Sequence, residues 1–571
     1  MSRAASRVRP SDYPPPFSPA EVIAAPTDPS GERIEVGLLV VGAGPAGLAC
    51  AIRFGQLLEE SPETAERLGD VPVAVVEKGA KPGSHLLSGA VVNPRGLRRL
   101  FKGRLTMNDL PTFGEVHGEA VYMLTKSTSI RVPPPPTMRN HGNYVASLAQ
   151  LGRFLAEQAE ESGAAILPET DAQKLLVADG RVQGIRTGDK GRGRDGQKLP
   201  NFESGSDIVA RITVLAEGTQ GHLTGAAISH FGLEGAHPQL WALGVKEVWK
   251  VPKPLGHIVH TLGWPLRKPA RYGEFGGSFI YPMGADLVSL GFVAGLEYRD
   301  VEFSVHDVLQ QFKTHRIVRK ILRDGERVAW GAKTITEGGY HALPKRFNAP
   351  GMLLVGEGAG LVNVPTLKGI HYGVESGILA AETAFRALQR GESPSRPGAL
   401  DGYDEALRSS WVTKELHAVR NMRQVFDKGF FVGGALASAM TVTKGKLPPR
   451  EFSSEPNARH ALMKTDRAKG YPAPDGKLTF DKLSSVFLSG NRTRDDQPNH
   501  IRLERHVPRE LAELWVNMCP ARVYELGDAD GDGTVTVELS PSNCVQCGAI
   551  TAKGGRLTPP EGGSGPEYTL A

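Results

Sequence analysis

The 571 residues predict an α/β chain built on a mostly parallel sheet. Three observations carry that expectation. GLLVVGAGPAGLACAIRF, from Gly37, reads as an apolar strand, a glycine-rich turn and a helix. VPVAVVEKG, from Val71, reads as a second apolar strand. Two later stretches, ITVLAEGTQG from Ile212 and PGMLLVGEGAGLVNVPTLKGIHYGVESGILAAE from Pro350, begin the same way. Strands buried on both faces by flanking helices read as continuous apolar runs.

Composition agrees and excludes several classes. At 40% hydrophobic and 23% charged residues the chain reads as globular. The net charge of +5 is small for this length and argues against a nucleic-acid binder. Four cysteines are too few for a disulfide scaffold. The first thirty residues are basic, then proline-rich, with no apolar signal core. They read as a disordered or surface-wrapped tail. No apolar run reaches the ~18–20 residues of a membrane span.

Leu38–Val41 is the first strand, and Leu48–Leu58 lies on the helix after it. Between them stands G-A-G-P-A-G, with Gly42, Gly44 and Gly47. The first glycine permits a tight turn, the second lets backbone approach a pyrophosphate, and the third lets helix and strand pack closely. The helix N-terminus then faces the phosphate charge. Residues 59–70 read as an inserted polar loop. The strand Val71–Val76 ends in Glu77, an acid placed to accept from ribose hydroxyls. An ordinary strand–helix turn is the bland reading of this motif. The N-terminal position and the distant companions favour FAD over NAD. In those companions Glu217-Gly218 follows one strand and Gly356-Glu357 the other. The helix from Gly369 would point its positive end at a flavin ring.

The C-terminal stretch PSNCVQCGAITAKGG places Cys544 and Cys547 in C-x-x-C spacing, and a third step falls on Ile550. Cys519 opens CPARVYE upstream. DADGDGTVTVEL, from Asp528, imitates a calcium loop but has Leu539 where the bidentate Glu belongs, and reads as a hairpin turn. Cys50, in the first helix, reads as a small buried residue.

Beyond Gly37 the chain resembles the electron transfer flavoprotein–ubiquinone oxidoreductase family. VGAGPAGLA, HLLSGAVVNPRGL, HGNYV, VLAEGTQGHL, HTLGWPL, GGSFIYPM, LVNVPTLKG, SWVTKELHAVRN, DKLSSVFLSG, DQPNHI, CPARVYE, NCVQC and PPEGGSGPEY carry the likeness, in that order. The resemblance implies a glutathione-reductase-type, Rossmann-like FAD domain, an inserted ubiquinone-binding β-sheet domain and a ferredoxin-like C-terminal region with a [4Fe–4S] cluster. Expected boundaries are a tail at 1–34, FAD domain at 35–235, ubiquinone domain at 236–335, FAD-domain return at 336–450 and ferredoxin-like region at 451–571. The FAD site would comprise Gly42, Ala43, Gly44, Pro45, Ala46, Gly47, Glu77, Lys78, Ser88, Gly89, Glu217, Gly218, Gly356, Glu357 and Gly369. Asn363 and Thr366 would lie near the flavin and tune its potential. Gly276 and Gly277 would present backbone to the quinone head, or else mark a strand bend.

The family holds its cluster with four cysteines. Cys519, Cys544 and Cys547 match three of them, and Ile550 replaces the fourth. Three thiolates hold either a [3Fe–4S] cluster or a [4Fe–4S] cluster with one outside ligand. A vestigial, metal-free site is the other reading. No side chain is expected to be a catalytic acid or base, because the chemistry belongs to the cofactors.

Ubiquinone is dissolved in lipid, so attachment to a membrane surface is expected. GFFVGGALASAMTVT, 429–443, is uncharged and flanked by lysines. NPRGLRRLFKGRL, 93–105, sets Leu97, Leu100, Phe101 and Leu105 on one face and reads as a basic interfacial helix. Two core-facing helices are the alternative.

The expected activity passes electrons from reduced electron transfer flavoprotein to ubiquinone, in a monomer that binds no nucleic acid. Its expected place is the cytoplasmic face of a bacterial inner membrane, or the matrix face of the mitochondrial one. A related FAD-dependent reductase of a lipid or isoprenoid, and a non-catalytic redox-docking homologue, are the alternatives.

Overall fold

The computed structural model describes residues 8–27, 33–391, 396, 398–428, 430–531 and 533–571. Strand β1 (Arg33–Val41) is buried from Val36 to Val41 and leads through the glycine turn into helix α1 (Pro45–Glu59). The stretch expected as a polar loop contains a helix, α2 (Pro62–Arg67). Pro62 supplies the fixed φ suited to a first helical turn, and Glu63 sits at its positive end. Strand β2 (Val73–Val76) pairs parallel with β1.

Helix α3 (Arg95–Leu100) corrects the interfacial-helix expectation. Leu97, Leu100 and Phe101 are 2–3% exposed and belong to the core of the first domain. Arg99 is paired with Glu375 and Glu382, and Arg95 with Glu415. The apolar face is therefore turned inward, and Arg95 and Arg99 bind the protein's own carboxylates.

Strands β3 (Glu119–Leu124) and β4 (Ser129–Val132) lie within 35–235, yet they extend the second sheet. The FAD-domain boundary at 236 is thus crossed. Strand β5 (Asp207–Leu215) runs parallel beside β1, and helix α4 (His222–His230) follows it. The second sheet continues with β6 (Trp241–Lys250), β7 (Ile258–Gly263), β8 (Gly276–Met283), β9 (Leu287–Gly295) and β10 (Glu326–Thr336). Its order is β10-β6-β9-β8-β7-β3-β4, antiparallel except for β7 beside β3. Strand β11 (Met352–Leu354) returns to the first sheet beside β5, and the 20-residue helix α5 (Ile370–Gln389) packs on α1.

The tail does not hang free where it is described. Ile23–Ala24 pairs with Ala172–Ala178 at the edge of the first sheet, and the carbonyl of Val8 accepts from Leu462 N–H.

Helix α6 (Phe430–Thr443) covers the uncharged segment; Gly429 lies outside the described residues. Among the described residues no helix is long and apolar enough to cross a membrane. The C-terminal region adds helices α7 (Lys482–Phe487) and α8 (Arg509–Met518), then the hairpin β12 (Tyr524–Ala529) and β13 (Thr534–Leu539). That hairpin is what the calcium-loop imitation becomes. The last helix is the single turn α9 (Ala549–Ala552). This region shares one apolar core with the second sheet, which fixes the cysteine segments against β10.

A buried charge cluster supports the second sheet. Glu247 on β6 accepts from Lys313 at 2.8 and 3.0 Å, Arg327 at 3.4 Å, Trp249 Nε1 at 2.7 Å and Gln310 at 3.2 Å. Burial pushes the Glu247 carboxyl up, but the Lys313 and Arg327 charges outweigh it and hold the group below its usual value.

Candidate functional site: a two-domain redox cavity

A cavity of about 370 Å³ lies between the two sheets. Its first wall is the end of β1 and the start of α1: Gly42, Gly44, Pro45 and Ala46. Gly42 has φ +109°, and a Cβ there would lie 2.6 Å from the Ala216 carbonyl oxygen, so only glycine turns this corner. A Cβ on Gly47 would meet the Gly42 carbonyl oxygen at 2.2 Å, which is the close helix–strand packing expected of it. Gly44 differs: a Cβ there would meet nothing nearer than Leu86, at 3.8 Å. The space beyond Gly44 belongs to the cavity and to whatever fills it.

The remaining walls bring together many of the sequence-derived positions. Glu77, Lys78, Ser88, Gly89, Glu217, Gly218, Gly356, Glu357 and Gly369 all line the cavity. Glu77 accepts from the N–H groups of Ala43 and Gly79, at 3.0 and 2.7 Å. Glu217 is engaged at the start of α4, accepting from Leu223 N–H and from Thr224 N–H and Oγ1. Burial raises the Glu357 carboxyl, which accepts from Thr336 N–H at 2.9 Å. The N-terminal turn of α5 opens on the cavity through Gly369, Ile370 and Gly373.

Four expected residues do not line it. Ala43 and Gly47 lie behind the turn. Asn363 and Thr366 bond to each other: Asn363 Oδ1 accepts from Thr366 N–H, and Thr366 Oγ1 donates to the Asn363 carbonyl. Asn363 Nδ2 donates to the Tyr372 hydroxyl at 3.1 Å. They shape the loop that carries the lining residues Val362, Val364, Leu367 and Lys368.

Gly276 and Gly277 are not lining residues either. Gly276 has φ +148°, and a Cβ there would lie 2.0 Å from the Val293 carbonyl oxygen. Its register opposite Ala294 is regular, so close strand approach, not a bulge, requires glycine. Further along the same strand Phe279 and Tyr281 face the cavity, with Val293 from β9.

A further wall contains residues to which the sequence assigned no role in this cavity. His85, Gln220, Lys333, Thr334, Gln546 and Cys547 meet here from four separate segments. Both ring nitrogens of His85 and Oε1 of Gln220 are buried without a hydrogen-bond partner. Burial, then the Lys78 and Lys333 charges, push the His85 pKa well down, so the ring is neutral. Cys547 was expected only as a cluster ligand; His85, Gln220 and Gln546 fall in the HLLSG, VLAEGTQGHL and NCVQC motifs without a role assigned, and Lys333 and Thr334 fall in none.

Gln546 joins this wall to the cysteine loop. Its Oε1 accepts from Lys78 Nζ at 2.7 Å and its carbonyl from Lys333 Nζ at 3.1 Å. The Cys547 carbonyl accepts from Thr334 N–H, the strand β10 backbone, at 2.8 Å. Cys519 and Cys544 are 5–6% exposed, in the core below. All four cysteines are free. The N–H groups of Ala521 and Val523 point to Cys519 Sγ, and that of Gln546 to Cys544 Sγ, each at 3.4 Å. Burial pushes the Cys547 thiol up to about 12, and the Cys544 thiol up as well.

Two family models match the chain: the ubiquinone-binding model of electron transfer flavoprotein–ubiquinone oxidoreductase (ETF-QO) at residues 241–335, and its 4Fe-4S model at 476–569. The mitochondrial electron transfer flavoprotein–ubiquinone oxidoreductase of Arabidopsis thaliana is 39% identical over 564 residues, covering 94% of this chain and 85% of the relative. The chain belongs to the electron transfer flavoprotein–ubiquinone oxidoreductase family. The Pseudomonas aeruginosa member is 37% identical, over 94% of this chain and 99% of its own. A geranylgeranyl bacteriochlorophyll reductase-like structure from Thermoplasma acidophilum aligns with TM-score 0.54 at 17% identity, over 77% of this chain and 96% of that one. At that identity the likeness is one of fold.

Members of the electron transfer flavoprotein–ubiquinone oxidoreductase family are oxidoreductases that work with FAD and an iron–sulfur cluster, and the residues fit both. The open space at Gly44, the two helix N-termini and the unpartnered atoms of His85 and Gln220 suit a large polar dinucleotide. Three free cysteines in one core, two of them with N–H groups directed at sulfur, suit a cluster. Among the described residues no three His, Cys, Asp or Glu converge closely enough for a single metal ion.

Proposed function

We propose that the chain takes electrons from reduced electron transfer flavoprotein and delivers them to ubiquinone. The observation that carries this reading is the shared wall. Cys547, next to the candidate cluster, and the glycine turns of the candidate FAD site line one cavity. Electron transfer needs closeness, not contact with a base, and this arrangement supplies it. FAD, when bound, supplies reversible exchange of one or two electrons.

The chain's own residues position and tune. Gly42, Gly44 and α1 hold the pyrophosphate, with Glu77 near the ribose. The α5 N-terminus favours added electron density on a flavin ring beside it. Lys78 and Lys333 hold the cysteine loop against the cavity through Gln546. The apolar end, at Phe279, Tyr281, Val293 and Leu367, suits the quinone head. Gly276 and Gly277 keep the start of β8 free of side chains.

Attachment is peripheral in this reading. On and after α6, Val432, Val442 and Leu447 are 54%, 84% and 52% exposed, with Lys444, Lys446 and Arg450 beside them. A bacterial inner membrane, cytoplasmic face, is the proposed place; the mitochondrial matrix face is the other. Inserting two valines is worth about 1.5 kcal/mol each. A Val432→Asp/Val442→Asp variant should therefore bind anionic vesicles roughly a hundredfold more weakly. Its reduction of a short, water-soluble quinone analogue should stay unchanged. Equal vesicle binding by the two proteins would remove α6 from the membrane contact.

A steady-state assay tests the reaction. Reduced electron transfer flavoprotein should support reduction of a ubiquinone analogue in proportion to FAD content. Reduction of a prenyl lipid but not of the quinone would favour the isoprenoid-reductase reading. FAD-replete protein that reduces neither would be a docking homologue.

A further inference from the structure

Residue 550 stands where the third C-x-x-C step would place a ligand. It is Ile550, 3% exposed, on the single turn α9. Its side chain packs in the same apolar core as Cys519 and Cys544. A Cβ on the facing Gly555 would meet Ile550 Cγ1 at 2.5 Å and the Arg502 carbonyl oxygen at 3.0 Å, so Ile550 is closely packed on that side. An isoleucine offers iron no lone pair, and so little exposure leaves water no path to that corner.

Among the described residues no carboxylate or imidazole is grouped with the cysteines in place of the missing thiolate. Asp528 and Asp530 are exposed on the hairpin, where Asp530 pairs with His506 at 3.2 Å. Asp532 lies outside the described residues.

We infer that Cys519, Cys544 and Cys547 hold a cluster of three irons and four sulfides, and that Ile550 closes the corner where a fourth iron would sit. This rests on the chain's using an iron–sulfur cluster, and it departs from the four-iron cluster named by the matching family model. Three thiolates bind one iron each, so every iron has a protein ligand and none is left to water.

The test compares wild type with Ile550→Cys, both purified without oxygen and then incubated with ferrous iron, sulfide and a thiol reductant. Iron and sulfide are counted per FAD, and EPR spectra are taken before and after dithionite. Wild type should hold three irons, with a signal in the oxidised protein that reduction removes. Ile550→Cys should gain a fourth iron, lose the oxidised signal and show one only after reduction. Four irons in wild type, with a signal only after reduction, would overturn the inference. So would FAD-containing protein that takes up no iron. Should Ile550→Cys not fold, the wild-type counts decide alone. Quinone reduction measured on the same wild-type sample separates the two readings. Activity with four irons sinks the three-iron inference only. Three irons without activity sink the electron-transfer reading and leave the cluster inference standing.

Discussion

Gly44→Val should yield folded protein that no longer retains FAD. The substitution is chosen because Gly44 is the one turn glycine whose added side chain meets almost no protein: Leu86 at 3.8 Å is its nearest neighbour. Two methyl groups would instead occupy the space where backbone must approach the pyrophosphate. Loss of that contact and of the helix N-terminus behind it should weaken FAD binding at least a hundredfold, by about 3 kcal/mol. Absorbance of the purified protein reads the flavin, and far-UV circular dichroism reads the fold. Gly47→Val should also lose FAD, but by damaging the fold, since a Cβ there lies 2.2 Å from the Gly42 carbonyl oxygen. A Gly44→Val protein with full flavin content would show that the dinucleotide does not use this turn.

Glu247→Ala should destabilise the protein by about 3–5 kcal/mol, enough to unfold a marginal domain. Lys313 and Glu247 are fully buried and Arg327 nearly so, with side-chain exposures of 0%, 0% and 3%. Removing the carboxylate strands two cations and the Trp249 and Gln310 donors. Urea denaturation followed by tryptophan fluorescence measures the loss. Replacing all three charges, Glu247→Leu with Lys313→Met and Arg327→Met, should recover most of it, because no uncompensated charge then remains. Acid should mimic the single substitution. Glu247 is held below its ordinary value of 4.5 in the folded protein, so its contribution is present above that value and is lost as pH falls through the folded-state pKa. A single variant as stable as wild type would show that the cluster is solvated in solution.

Local chemistry made the first sheet legible. Apolar runs, glycine turns and helix starts are signals read within a few residues, and β1, α1, β2 and α5 follow them. Helix α3 shows the limit. A basic helix with one apolar face is the same sequence whether that face meets lipid or the protein's own core. Only the carboxylates of Glu375, Glu382 and Glu415, far along the chain, decide it. Strands β3 and β4 were misassigned for a related reason, since parallel pairing of β3 with β7 joins residues more than a hundred positions apart. At the site, motif glycines and acids were found, while His85, Lys333 and Gln546 were not. Those three matter through where distant segments meet, and nothing in their local spacing announces it. The cysteine spacing, with Ile550 at its third step, is read from the sequence itself.

The central claim is that this chain carries electrons from a reduced flavoprotein donor to ubiquinone. Anaerobic rapid mixing tests it most directly. Electron transfer flavoprotein reduced beforehand is mixed with the holoprotein and excess ubiquinone analogue, and quinol and donor oxidation are followed together. Quinol forming in step with donor oxidation, one for each electron pair, and at a rate proportional to bound FAD, is the predicted result. A donor that stays reduced while FAD is fully bound, or donor oxidation without quinol, would contradict the account.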